Sequence, residues 1–222
     1  MPLIPRENLS NKVYGLLKDM IADHRFQQGA RLNVEELAKE MGVSRTPVWE
    51  AVRRLEQEGL VQNVPNRGVY MAVLTHQTAL DLYAVREVLE GMAGRLAARL
   101  IDDQTLATME SCLAEQTEVV ERGDLIAYSR LDFEFHAAVY NASGNPVLQE
   151  LLAAIKDKMR PLSLQVRPIL SRLYGDHQSI LEALKAHDPG KTDRAFRRHN
   201  RKMMVLIRSE MAAKPQSDKT GE

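Results

Sequence analysis

Between residues 9 and 24, apolar side chains fall at Leu9, Val13, Leu16, Leu17, Met20 and Ile21, the spacing of one helix face. The segment NVEELAKEMG follows, with Asn33 as an N-cap, Glu36 as its reciprocal partner and Gly42 as a stop. A further helix is predicted in VSRTPVWEAVRRLEQEGL. Ser44 or Thr46 caps it, Pro47 is tolerated because it falls in the first turn, and Val48, Ala51, Val52 and Leu55 form its inner face. The period then changes. LVQNV and GVYMAVL are β-rich and separated by Pro65-Asn66-Arg67 and Gly68, which predicts a hairpin. A leading helix, two helices joined by a tight turn and a hairpin make a winged helix-turn-helix over roughly residues 8–74.

From about residue 77 the pattern is helical. Helices are expected near 78–101, 103–122, 124–142, 146–166, 170–187 and 192–212, with breaks at Asp102, Gly123, Gly144-Asn145-Pro146, Pro168 and Asp188-Pro189-Gly190. With no strands left, this half is expected to be an antiparallel all-helical bundle whose core site is built from facing side chains. The fold class is therefore mainly α. Residues 1–75 are the winged helix-turn-helix domain, 76–214 the helical domain, and 215–222, within AAKPQSDKTGE, a disordered tail. The connection at Leu74-Thr75-His76 is short and lacks glycine, which suits mechanical transmission.

Composition narrows the classes. The chain is 44% hydrophobic and 27% charged, the balance of a soluble globular protein. No run reaches the roughly 20 apolar residues of a membrane span, and the start MPLIPRENLS has no signal-peptide core, so a cytoplasmic protein is expected. Its single cysteine, Cys112, excludes an internal disulfide and a thiolate metal cluster and is expected to be buried and inert. A formal net charge of zero gives no bulk attraction to nucleic acid, so any such binding must be local.

A local arrangement is present. The second helix of a helix-turn-helix lies in the major groove with its early residues at base edges. Here its outer side carries Arg45, Trp49 and Arg53, with Ser44 and Thr46 at its start. Arg45 can grip guanine O6 and N7, worth on the order of 1–3 kcal/mol of discrimination. Arg53 and Arg54 suit phosphates, Arg31 the backbone ahead of the first helix of the pair, and Arg67 with Gly68 the minor groove. The blander reading, arginines that merely solvate a helix, fits any one of them; the set on this scaffold points to double-stranded DNA.

The helical half poses a separate question in LDFEFHAAVY, where Asp132 and His136 project from one helix face. His24, His76 and His187 lie near predicted helix ends or linkers and read as solvated. His177 shares a face with Leu173, Ile180, Leu181 and Leu184, and His199 with Ala195, Phe196, Met203 and Leu206. Each can be a hydrogen-bonded core histidine. Alternatively one divalent ion satisfies Asp132, His136, His177 and His199 together, and three imidazoles with a carboxylate suit zinc, nickel, manganese or iron. Arg86 shares a face with Leu82, Leu89 and Ala93 and demands an anion, either a bound carboxylate or Glu90 one turn on. The basic run Arg194, Arg197, Arg198, Arg201 and Lys202 reads mostly as a solvated face, with one member near the pocket mouth.

LAKEMGVSRTPVWEAVRRLEQEGLV followed by NRGVYMAVL resembles the DNA-binding head of GntR-family bacterial transcription regulators. Residues 77–212 resemble the all-helical FCD effector domain of that family's FadR-like branch, in its metal-binding version. The resemblance implies that Asp132, His136, His177 and His199 are metal ligands, with zinc foremost, and that a small organic acid enters the pocket beside Arg86. It also implies a homodimer on a near-palindromic operator, with repression relieved by ligand. Trp49 departs from the family, which usually has arginine there. An indole cannot replace a guanidinium fork, so operator preference is expected to change at one base step. Two rival expectations are a metal-dependent hydrolase or lyase with a DNA-binding head, and a regulator whose metal is purely structural.

Overall fold

The computed structural model describes residues 6–163 and 170–213. The tail expected over 215–222 and the break expected at Pro168 lie outside them, as does the side chain of Leu173. The chain divides into two compact units, Met1–Leu74 and Thr75–Glu222.

The first unit comprises α1 (Arg6–Ala22), β1 (Arg31–Leu32), α2 (Val34–Glu40), α3 (Arg45–Gln57), β2 (Val61–Val64) and β3 (Gly68–Met71). Val13, Leu17 and Ile21 of α1 are buried with Val48, Ala51, Val52 and Leu55 of α3 in one core. Leu9 and Leu16, expected on that inner stripe, are exposed instead. A helix packed mainly against one partner, as α1 is against α3, covers only a narrow stripe. Asn33 caps α2, its side chain accepting from the Glu35 and Glu36 amides. Gly42 takes the left-handed conformation, φ +64°, that turns the chain from α2 into α3. Ser44 occupies the N-cap of α3 without a side-chain cap bond.

The hairpin is joined by a third strand that hydrophobic patterning did not reveal. Arg31 pairs with Tyr70 and Leu32 with Val69, giving the antiparallel order β1-β3-β2. Two residues are too few to show a period, so only their pairing identifies them. At the β2–β3 turn Asn66 has φ +61° and the Arg67 amide donates to the Val64 carbonyl at 3.0 Å.

The second unit is a bundle of α4 (His76–Leu100), α5 (Asp103–Arg122), α6 (Leu125–Ala142), α7 (Pro146–Ser163), α8 (Leu170–Lys185) and α9 (Pro189–Ala213). α9 lies along α4; α5 packs on α6 and α8; α8 packs on α9. The break expected near Asp188-Pro189-Gly190 falls at residues 186–188, and α9 starts at Pro189, three residues earlier than expected. Asp188 Oδ1 accepts the Lys191 amide at 2.9 Å, and Pro189 occupies the first helical position, where its missing donor costs nothing.

Candidate metal centre and nucleic-acid interface

The first unit carries exposed arginines on α3 and around the sheet. Arg45, Thr46, Trp49 and Arg53 are exposed and line a shared recess on α3 with Glu50, Val52, Glu56 and Asn63. Arg45 Nη1 meets Glu35 Oε1 at 2.9 Å, but both side chains are 68% exposed, so the pair leaves the guanidinium available. Arg54 is placed differently from the expected phosphate contact. Its Nη1 donates to Asn11 Oδ1 at 2.6 Å and its guanidinium stacks 3.8 Å from the Tyr14 ring centroid, so it braces α3 on α1. Arg31 is exposed on β1 and Arg67 in the β2–β3 turn. A Cβ on Gly68, φ +106°, would meet Arg31 Nε at 3.2 Å, so glycine lets the arginine cross the strand. Ser44 is exposed beside Arg45.

In the second unit, three distant segments converge. His136 of α6, His177 of α8 and His199 of α9 are buried, and one ring nitrogen from each lies within 4.8 Å of the others. Asp132 Oδ1 lies 3.4 Å from His177 Nε2 and 3.8 Å from His136 Nε2. Its side chain is 26% exposed, so the acid stands at the accessible edge of the cluster. The outer nitrogens are engaged: His136 Nδ1 is 2.9 Å from Glu90 Oε1 and His177 Nδ1 is 2.9 Å from Gln116 Oε1. His136 Nε2, His177 Nε2 and His199 Nδ1 are buried without a hydrogen-bond partner. Orphaned nitrogens of this kind cost on the order of 1–3 kcal/mol each.

The electrostatics favour ligand-competent protonation states. Burial pushes the His177 imidazole down to about 3, and burial likewise lowers His136 and His199. All three rings are therefore neutral at physiological pH, as metal ligands must be. Burial works against ionising Asp132, but the Lys156 ammonium and the imidazoles of His136 and His177 outweigh it and hold the carboxyl well below its usual range. Lys156 Nζ donates to Asp132 Oδ2 at 2.5 Å and to the Asp132 carbonyl at 2.8 Å. Desolvation in turn lowers Lys156 to about 8. The donor set, three neutral imidazoles and one ionised carboxylate with the unpartnered Nε2 atoms of His136 and His177 beside it, fits a divalent cation.

Arg86 is buried as expected and pairs with Glu90, one of its two expected partners. Its Nη2 and Nε donate to Glu90 Oε1 at 2.8 and 3.2 Å. Glu90 also accepts from Tyr140 and, at 2.6 Å, from Asn200 Nδ2. Burial opposes ionisation of Glu90, yet Arg86 and His136 keep it charged. The basic run on α9 is largely committed: Arg197 to Asp193, Arg201 to Glu87 and Lys202 to Asp176. Among the predicted solvated histidines, His187 Nδ1 lies 3.1 Å from the Ala98 carbonyl.

The sequence pattern names Glu90 only as a partner for Arg86 and leaves Gln116, Lys156 and Asp176 unremarked; all four are buried around the cluster. A signal was available. Gln116 interrupts the buried stripe Met109, Cys112, Leu113 and Val119 of α5, as His177 interrupts the stripe of α8. The test that singled out the histidines, a polar residue on an apolar face, also finds this amide.

Comparison with known proteins sets these sites in context. Residues 9–71 match the family described as bacterial regulatory proteins, gntR family, and residues 81–202 match the FCD domain. The Nta operon transcriptional regulator of Aminobacter aminovorans is 36% identical over 143 residues, covering 64% of this chain and 67% of that one. The HTH-type transcriptional repressor RspR of Escherichia coli is 25% identical over 209 residues, 93% of this chain and 92% of the relative. Among solved structures, E. coli McbR/YncC superposes with a TM-score of 0.81 at 24% identity, over 91% of this chain and 98% of that one, a likeness of fold alone.

Proposed function

The chain belongs to the gntR family of bacterial regulatory proteins and carries that family's winged helix-turn-helix with an FCD domain; from that premise we propose a metal-dependent sensor that represses transcription until a small organic acid binds. Its relatives and matched families are transcriptional regulators, so the enzymatic alternative gives way. The observation that carries the sensor reading is the convergence of three buried, neutral imidazoles with unpartnered nitrogens beside an ionised Asp132.

On this reading Asp132, His136, His177 and His199 hold the cation, with zinc the leading candidate. Bound there, a divalent ion supplies a positive Lewis-acidic centre with positions left for carboxylate oxygens. Lys156 keeps Asp132 ionised and oriented. Glu90 and Gln116 hold the rings of His136 and His177 through Nδ1, leaving Nε2 of each free. Arg86 is the candidate for an effector's outer oxygens. Two of its nitrogens serve Glu90, while Nη1 meets the Met159 thioether, a weak acceptor, at 3.7 Å.

The DNA-facing reading places α3 in the major groove of a near-palindromic operator, one helix per half-site of a twofold homodimer. Arg45, Thr46, Trp49 and Arg53 meet bases and phosphates, and Arg31 and Arg67 the flanking backbone and minor groove. Arg54 joins them only by leaving Asn11 and Tyr14. An acid can alter operator affinity only through a difference in its own affinity for two arrangements of the protein. A coupling of about 1–3 kcal/mol, roughly 5–150-fold, suffices for a switch. That the relative RspR is a transcriptional repressor supports the direction of control.

The test is metal uptake by the full-length protein and by His177→Ala. The wild type is expected to bind one zinc per chain and the variant to lose it, while both retain operator binding through the first unit. Zinc uptake by His177→Ala at wild-type affinity would refute the proposed ligand set.

A further inference from the structure

Two of the three convergent histidines have a partner in hydrogen-bond contact with the nitrogen that faces away from the cluster. Glu90 serves His136 Nδ1 and Gln116 serves His177 Nδ1, each at 2.9 Å. The third is incomplete in a specific way. His199 Nδ1 is buried with no hydrogen-bond partner, and so is Asp176 Oδ2, and these two orphaned atoms face each other across 3.9 Å. One can donate and the other accept, and burying either alone is unfavourable.

The rest of Asp176 points the same way. Its Oδ1 accepts from Lys202 Nζ at 2.5 Å, and Lys202 lies one residue short of a full turn beyond His199 on α9. Lys202 is half exposed, whereas the Asp176 side chain is 3% exposed. A carboxylate that served only this lysine would gain nothing from such burial, because desolvating a charge for a surface partner is unfavourable. Burial has a purpose if the inward oxygen works on the histidine. Asp176 also adjoins His177 on α8, so one short segment offers a ring to the cluster and an oxygen to the ring arriving from α9.

We propose that Asp176 is the outer carboxylate of His199: it accepts a hydrogen bond from Nδ1–H, fixes that tautomer, and leaves Nε2 as the atom presented to the cation. The inference rests on the metal reading above and adds a positioning residue to it. The three rings then follow one rule, with Nδ1 outward and Nε2 inward, and their outer partners are two carboxylates and an amide. Such partners raise the basicity of a ligating imidazole and hold its orientation. The present separation exceeds a hydrogen bond by about 1 Å, so the bond forms when the His199 ring is drawn into its ligating position.

The experiment compares full-length wild type with Asp176→Asn in competition with a chromophoric chelator for zinc at neutral pH. Loss of an outer partner is expected to weaken zinc binding by about 10–100-fold. Long-range proton–nitrogen spectra of the zinc-loaded wild type are expected to show His199 protonated at Nδ1 and ligating through Nε2. Zinc binding by Asp176→Asn as tight as the wild type's, or zinc on His199 Nδ1, overturns the assignment. Should the variant fail to fold, the wild-type spectrum decides. A role confined to packing would lower melting temperature and leave tautomer and affinity unmoved, which also overturns it. Failure of the wild type itself to take up zinc, nickel, manganese or iron would bring down the metal reading and this assignment with it.

Discussion

At the scale of single residues, position decides chemistry more than identity does. Trp49 stands exposed between Arg45 and Arg53 on α3, where its indole offers one donor and an apolar face. Trp49→Arg is expected to restore a guanidinium fork and change the preferred base at one operator step. A binding-site selection that returned the same consensus for both proteins would refute this. Cys112 is the opposite case, a reactive group made inert by its surroundings. Its Sγ donates to the Leu131 carbonyl at 3.1 Å, and burial, helped by nearby Glu134, pushes the thiol up to about 11. At pH 8 such a thiol is about one part in a thousand thiolate. Alkylation by iodoacetamide is therefore expected to be slow in the folded protein and to accelerate on unfolding in urea. Rapid labelling of the native chain would contradict the burial that causes the shift.

Among the helices, close approach is set by what the sequence leaves out. Gly94 of α4 lies against α9, and a Cβ there would fall 2.6 Å from Phe196 Cδ2 and 2.9 Å from Thr192 Cγ2. Phe196 and Thr192 are fully buried, so neither can swing aside. Gly94→Ala is expected to cost about 1–3 kcal/mol from overpacking, against at most about 1 kcal/mol regained in helix propensity. Gly15 in α1 is the control, since a Cβ there meets nothing within 4 Å. Gly15→Ala is expected to stabilise by up to about 1 kcal/mol. Urea denaturation of the two variants should move the midpoint in opposite directions; a shift of the same sign in both would show that propensity alone governs these helices.

Across the whole molecule, the proposed cation site would link stability to cation supply. A ligand that binds only the folded state stabilises by mass action, about 2.7 kcal/mol at a hundredfold excess over its dissociation constant. Chelator-stripped protein is expected to melt at a higher temperature when zinc is added, and His177→Ala is expected to show no such gain. An equal gain in both would place the zinc elsewhere. The described helices include none long and apolar enough to cross a membrane.

Much of this architecture is written locally. Asn33, Gly42 and Pro47 mark the start, stop and first turn of neighbouring helices, and the change from a period near four to a period of two marks the hairpin, because caps, turns and amphipathic faces depend on residues a few positions apart. The same local logic placed Asp132, His136, His177, His199 and Arg86 on inward faces, and each is buried or at the edge of the buried cluster. What a face cannot reveal is its opposite number. The pairing of β1 with β3, the turning back of Arg54 onto Tyr14, and the partners Gln116, Lys156 and Asp176 all join positions that local periodicity does not link. Periodicity fixes the direction in which a side chain points; only the packing of helix against helix decides what it meets, because that is where burial makes each polar atom find a partner.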